Sequence, residues 1–500
     1  MSLAERATRA LQWRFAATFV GAGLQFGIGA LLARLLTPKD FGIVALAFVV
    51  LGLLQPLGDL GLGSAVVQRA HLTARHIRTA FTASVLIGVM IAAVIVGLAP
   101  VAASVMRDAR VTPVMQVLAL SFCFRALSTV AEALLQRQLD FRRQFFIDTA
   151  SYLIGYGAVG TTLALSGYGV WSLVGSNLMQ ATIACASRLL MVRHGMLPLL
   201  AQQELKDLLR FGVGATASLV VNSLARYGDN FVVGRSMGAA ALGLYDRAYS
   251  LMNLPFSYGA GVISGVLFPA LAQVQTEPDR MRRGYLLATQ VTAMIAAPVM
   301  GGMAVAAPHL VVSVYGAQWT STILPLQILC AAGYFRSLYH VGGIVAHSAG
   351  RVYNELWRQI VYAALVVVGA TFGARYGLPG VAFGVSFAIM YMFVATGHLA
   401  LRVTRTPWRS YLRAQIVGLM TGAVTCGVAM AVRWYLERLA ASSPVVTISI
   451  IASCGITWGL CLMWRIGEPE FVELRAKLPP NYLRLIGRVR RLPLAAPGAE

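Results

Sequence analysis

The chain has 500 residues, of which 58% are apolar and only 12% charged, with a mean hydropathy of +0.70. Typical soluble proteins carry ~25% charged residues. A string of soluble domains is therefore excluded, and the composition predicts a polytopic membrane protein. A β-barrel is excluded too, because the apolar stretches run far beyond the ~10-residue alternating strands a barrel needs.

Fourteen runs are long enough to cross ~30 Å of hydrocarbon. They lie at 13–33, 41–60, 79–105, 112–136, 145–165, 168–190, 211–234, 242–271, 285–306, 320–348, 357–374, 378–401, 414–433 and 444–464. Each is predicted to be a helix, since an isolated strand in lipid leaves backbone groups unpaired. The first run exceeds a signal-peptide core and ends at Arg34, so it reads as an uncleaved helix. With the N-terminus in the cytoplasm, 29 of the 41 basic residues fall on cytoplasmic segments and 8 on outer ones. This bias sets the orientation and places both termini in the cytoplasm. It also accounts for most of the net charge of +22, so no nucleic-acid partner is needed. The basic tail, 467–500, is expected to lie against anionic membrane lipid.

Several chemistries are absent from the sequence. None of the three lysines (Lys39, Lys206, Lys477) follows a glycine, so there is no Walker A loop. The six cysteines form no C-x-x-C pair and sit in apolar segments, which reads as small buried hydrophobes rather than disulfides or zinc ligands. No metal site and no cofactor are expected.

The chain resembles itself. Leu31-Leu32-Ala33-Arg34 before Phe41-Gly42 matches Val232-Val233-Gly234-Arg235 before Leu242-Gly243 at an offset of 201. Tyr168-Gly169-Val170 matches Tyr376-Gly377-Leu378 at an offset of 208. Six spans per half keep the two halves in the same orientation, related by an axis along the membrane normal. The expected domains are an N-terminal lobe over 1–200 (spans 1–6), a C-terminal lobe over 201–404 (spans 7–12), two further helices over 405–466, and the tail over 467–500. Two such lobes face to face suggest alternating access.

Charges at membrane depth are costly unless they face protein or water, and helical phase groups them. Span 4 aligns Ser121, Arg125, Thr129, Glu132 and Gln136; span 10 aligns Arg336, His340, Gly343 and His347. Span 1 aligns Arg14, Thr18, Gly21 and Gln25, and span 7 aligns Asn222, Arg226 and Asp229. Span 8 aligns Asp246, Ser250, Asn253 and Ser257, while span 2 offers Gln55 and Asp59. Arginine binds phosphate oxygens bidentately. The substrate-binding candidates are therefore Arg125, Arg226, Arg336, Arg14, Gln25, His340, His347, Asn222 and Asn253, around an anionic headgroup. Asp59, Asp229, Glu132 and Asp246 are the ion-coupling candidates. The competing reading is structural: Asp229 stands one turn from Arg226 and Glu132 two turns from Arg125, spacings that suit ion pairs fixing helix packing. The pairs Gly23/Gly27, Gly261/Gly265, Gly380/Gly384 and Gly418/Gly422 suit close helix contact.

The stretches Ala33-Arg34-Leu35-Leu36-Thr37-Pro38-Lys39-Asp40-Phe41-Gly42 and Asp59-Leu60-Gly61-Leu62-Gly63 resemble the polysaccharide transporter family. So do Leu135-Gln136-Arg137-Gln138-Leu139-Asp140-Phe141-Arg142 and Asp229-Asn230-Phe231-Val232-Val233-Gly234-Arg235. These are the O-antigen and exopolysaccharide flippases of the multidrug/oligosaccharidyl-lipid/polysaccharide superfamily, with the colanic-acid exporters nearest in character. The resemblance implies a drug-extruder-like fold of two six-helix lobes around a cavity. It also implies transport of an undecaprenyl-diphosphate-linked oligosaccharide by a monomer, alongside a polysaccharide polymerase and glycosyltransferases. The alternatives are a cation-coupled drug or metabolite antiporter on the same fold, a lipid II flippase, and a membrane-embedded polysaccharide polymerase. The polymerase is disfavoured because the outer loop near 308–320 carries no carboxylate; no enzyme activity is expected.

Overall fold

The computed structural model describes residues 3–69, 71–275 and 277–466. The basic tail expected over 467–500 lies outside the described residues, as do the side chains of Arg14, Asp59 and Ser257. Fourteen helical rods follow one another among the described residues, and each of the fourteen apolar runs falls on one. The first half holds α1 (Leu3–Leu35), α2 (Pro38–Asp59), α3 (Ala74–Met106), α4 (Val111–Arg137), α5 (starting as Phe141–Tyr152) and α6 (Val170–Met191). The second half holds α7 (Gln202–Met237), α8 (Ala239–Gln273), α9 (Pro278–Val314), α10 (Ile323–Ser348), α11 (Val352–Gly373) and α12 (Gly377–Val403). The last two are α13 (Trp408–Arg438) and α14 (Ser443–Ile466). Among the described residues, nine helical segments, one of them covering both α11 and α12, are long and apolar enough to cross a membrane. The chain is an all-helical, multi-pass membrane protein.

Local chemistry explains the rod ends. At the start of α2, Thr37 Oγ1 accepts from Asp40 N (3.3 Å) while Asp40 Oδ2 accepts from Thr37 N (3.0 Å), with Pro38 in the first turn. This capping box satisfies two orphan donors, and proline suits a position whose N–H would be free anyway. After α2 the backbone turns left-handed at Leu60 and Gly61 (φ 42° and 71°) into a short helix, Leu62–Gln68. Arg137 Nη1 donates to the carbonyls of Val66, Val67 and Arg69, so a cation closes the C-terminal end of that helix. Asp140 caps α5 by accepting from Arg143 N (3.1 Å). Beyond Tyr152, α5 widens into a π-helical stretch, Leu153–Gly160, before ending at Thr161–Leu165.

The packing pattern recurs along the chain. In the first half α3 packs on α4, α4 on α6 and α5 on α6; in the second α9 packs on α10, α10 on α12 and α11 on α12. Helices α13 and α14 pack on α9, outside that arrangement. Apolar side chains on α3, α12 and α14, such as Leu86, Met90, Phe383, Phe387, Ile448 and Ile456, are exposed and form the lipid-facing surface. Of the glycine pairs, Gly380 and Gly384 let α12 approach the backbone of α11 at Gly373 and Gly369, and Gly418 meets Ala293. Gly23 and Gly27 face open space, with nothing within 4 Å of an added Cβ, so they do not mark a helix contact. Near the two ends of α11, Trp357 and Tyr376 are 70% and 81% exposed.

The two halves meet along α2, which packs against α7 and α8. On the face where α1 ends, Trp319 Nε1 donates to Ala33 O (2.9 Å) and Gln318 Nε2 donates to Ala33 O and Leu36 O (3.0 and 3.1 Å). Arg34 donates to the carbonyls of Ser313 and Val314 at the end of α9. On the opposite face, ion pairs Arg69–Asp207 (2.9 Å) and Arg75–Glu204 (3.1 Å) tie the α2–α3 connection to the start of α7. Beneath them Leu205 and Leu208 pack on Leu62, Ala65 and Val66.

Candidate functional site

A cavity of about 550 Å³ opens inside the first half, walled by α1, α2, α4, α5 and α6. Its volume is that of a small-ligand site. Arg125 stands on its wall midway along α4, solvent-exposed, and no carboxylate among the described residues is within ion-pair distance of it. Gln25 of α1 and Gln55 of α2 line the same space.

Two turns along α4 from Arg125, Glu132 enters a three-helix cluster. Arg188 of α6 donates to Asp148 Oδ1 of α5 (2.7 Å) and pairs with Glu132 Oε2 (3.5 Å). The guanidinium is 13% exposed, while Glu132 and Asp148 are 34% and 49% exposed on the cavity side. Asn177 and Gln180 of α6 complete a row of amides on the wall. Two glycines of the π-helical stretch set that row: an added Cβ at Gly155 would lie 2.8 Å from Gln180 N, and one at Gly160 would lie 2.1 Å from Ser176 Oγ. π-helical turns inside α-helices are frequent at functional sites, and here one brings α6 and its amides close to α5.

The other sequence candidates whose side chains are described do not line this cavity. Arg336 of α10 is enclosed by rings: it donates to the Tyr249 hydroxyl and lies 5.4 Å from the Tyr249 ring and 5.0 Å from that of Phe256. Asp229 of α7 is buried, accepting from the Tyr245 hydroxyl and from Asn230 N, both at 2.8 Å. Its partner is thus a tyrosine of α8 and not Arg226. Arg226 and Asn222 are exposed on α7, the former with its guanidinium 5.9 Å from the Tyr227 ring. His340 shares a hydrogen bond with Ser264 (2.9 Å) and meets Phe256 edge-on. His347 pairs with Glu355 (2.5 Å) across the α10–α11 turn. Asp246 pairs with its neighbour Arg247 (2.9 Å), whose guanidinium covers the Phe41 ring at 4.6 Å. Asn253 lies half-buried on α8. The structure therefore groups Arg125, Gln25 and Glu132, and holds Arg336, His340 and Asp229 in a separate aromatic-rich region of the second half.

Sequence reasoning did not pick out Arg188, Asp148, Asn177 or Gln180. The signal was present: Asn177, Gln180, Ala184 and Arg188 share one face of α6, and Asp148 and Tyr152 share one face of α5. Arg188 counts as a cytoplasmic basic residue in the topology reading, which hides its place on that stripe.

Comparison with known proteins bears on this arrangement. The family model described as "Polysaccharide biosynthesis protein" matches residues 31–324, more than half of the chain. The lipopolysaccharide biosynthesis protein WzxC of Escherichia coli (strain K12) is 26% identical over 397 residues, covering 77% of this chain and 78% of that protein. The succinoglycan biosynthesis transport protein ExoT of Rhizobium meliloti (strain 1021) is 25% identical over 455 residues, covering 91% of each. Among solved structures, the lipid II flippase MurJ in an inward closed conformation superposes with a TM-score of 0.72 at 16% identity, covering 90% of this chain and 98% of that one. An inward-facing multidrug resistance transporter of the MATE family gives 0.63 at 18% identity, covering 76% of this chain and 94% of that one. At these identities the structures speak to the fold alone. With the family model spanning the α2, α4, α5 and α6 walls of the cavity and the joint between the halves, the chain belongs to the polysaccharide biosynthesis protein family.

Proposed function

We propose that the protein is a flippase that moves an undecaprenyl-diphosphate-linked oligosaccharide from the cytoplasmic to the periplasmic leaflet of a bacterial inner membrane. The observation that carries this reading is Arg125: an exposed guanidinium inside a membrane-embedded cavity, free of carboxylate partners among the described residues. A cation at membrane depth is tolerated where it faces a water-filled cavity, which marks out a substrate pathway, and a guanidinium matches a phosphate's oxygens bidentately. Gln25 and Gln55 supply neighbouring amide donors. The relatives named for lipopolysaccharide and succinoglycan synthesis support the substrate class.

In this reading the lobes over 1–200 and 201–404 rock about the α2 seam to expose the cavity to each side in turn. Both termini are cytoplasmic, the protein acts as a monomer, and polymerase and glycosyltransferases work before and after it. Asp229, buried beside Tyr245 between α7 and α8, is the coupling-ion candidate. The test is polymer export by Arg125→Ala and Arg125→Lys variants present at normal levels. Export falls at least tenfold in Arg125→Ala and recovers in part with lysine. Undiminished export in Arg125→Ala would overturn the reading. A deletion strain sensitised to organic cations with intact polysaccharide would instead favour the antiporter.

A further inference from the structure

We infer that the cavity selects lipid-linked glycans whose first sugars are uncharged, and that Glu132, Asp148 and Arg188 set this preference. The inference rests on the reading of Arg125 as the diphosphate contact. Glu132 lies seven residues from Arg125 on one face of α4, about 10 Å at 1.5 Å per residue. A sugar esterified to a diphosphate held at Arg125 reaches that depth within its first one or two rings. There it meets two carboxylates sharing a single guanidinium, at 2.7 and 3.5 Å. The formal charge of this cluster is −1, opposite to that at Arg125.

The cavity is thus bipolar. Its cationic end suits the diphosphate. Its other end offers carboxylate oxygens that remain 34% and 49% exposed, together with the amides of Asn177 and Gln180. Those groups accept from and donate to hydroxyls at no electrostatic cost. A uronate or other acidic sugar brings a third carboxylate to a cluster that already has one too many, in a space partly shielded from water, where like charges repel most. Arg188 cannot turn to the newcomer without leaving Asp148 and Glu132 unneutralised.

The experiment measures binding of two synthetic probes to the purified full-length protein: a short-chain polyprenyl diphosphate bearing glucose, and the same lipid bearing glucuronic acid. The wild type binds the glucose probe at least tenfold more tightly. Glu132→Gln and Asp148→Asn keep the shapes of the side chains and bring the cluster to neutrality; each narrows the gap severalfold, by tightening the glucuronate probe. Equal binding of both probes by the wild type overturns the inference whatever the variants do, so a variant that fails to fold leaves the test intact. If Arg125→Ala binds both probes as well as the wild type, the diphosphate reading fails instead. Dependence on Arg125 without discrimination between the sugars sinks the sugar preference alone.

Discussion

Gly42 and Gly243, equivalent positions of the two halves, meet backbone to backbone where the starts of α2 and α8 cross. A Cβ at Gly42 would stand 1.6 Å from the Ala239 carbonyl oxygen, and one at Gly243 would stand 1.9 Å from that of Pro38. The repeat seen in the sequence is therefore a contact in space. Gly42→Ala or Gly243→Ala forces the two helices apart. Overpacking of this kind costs about 1–3 kcal/mol, and each variant is expected to show a lower melting temperature in detergent and reduced export. Gly97→Ala, with nothing within 4 Å, leaves both unchanged.

Beside that crossing, Trp319 is fully buried and its indole donates to Ala33 O. Trp319→Phe keeps most of the packing and removes one of the two side-chain donors to the Ala33 carbonyl, which keeps Gln318 Nε2. The expected cost is about 1 kcal/mol, read as a small fall in melting temperature. Arg34→Ala, which uncaps the end of α9, adds to it because Arg34 bonds to different carbonyls. Additivity is checked in the double variant.

Removing Arg188 leaves Glu132 and Asp148 facing each other. Arg188→Ala is expected to destabilise the protein by about 1–3 kcal/mol, below the ~3–5 kcal/mol of a fully buried pair because both carboxylates keep contact with the cavity. Glu132→Gln costs less, since Asp148 still holds the guanidinium. Thermal unfolding of the two variants side by side checks the order.

The connection between α6 and α7 gives a pH dependence. His194 packs on Phe81, with ring centroids 5.4 Å apart, and neither ring nitrogen has a side-chain partner among the described residues. Burial holds its imidazole below the usual range near 6.5. The folded state therefore binds fewer protons than the unfolded one, and the stabilisation is present above pH 6.5 and lost as pH falls below it. Limited proteolysis of the 192–201 segment is expected to speed up between pH 7.5 and 5.5. His194→Phe removes that pH dependence.

Much of the fold was legible because hydrophobic length is a strong signal: every rod was marked by an apolar run. The motifs that carried the family resemblance turn out to be joints. Thr37 and Asp40 cap α2, Arg34 closes α9, Arg137 closes the short helix after α2, and Gly42 is the crossing point. None of these five residues lines the cavity. The site was less legible. Helical phase puts Arg125 and Arg336 on matching stripes, and it cannot say that one faces open space while the other is wrapped by Tyr249 and Phe256. Rings from a neighbouring helix decide that, and they lie 80 or more residues away in sequence. Asp148 and Arg188 escaped for the same reason: each is unremarkable on its own helix, and only the approach of α6 to α5 at Gly155 and Gly160 makes them a pair.

Trp357 and Tyr376 mark out a length on the lipid-facing side of the molecule. Sixteen residues of α-helix beyond Trp357 and a closing three-residue 3-10 turn carry the chain to Tyr376, about 30 Å of rise. Indole and phenol rings settle at the boundary between headgroups and acyl chains, so the distance between them is a ruler for the bilayer. Lipids with shorter tails would leave one ring in water or make α11 tilt. Since α11 packs on α7, the strain would be delivered to the seam between the halves. In the proposed rocking of the halves, the thickness of the surrounding membrane would thereby set how readily they move.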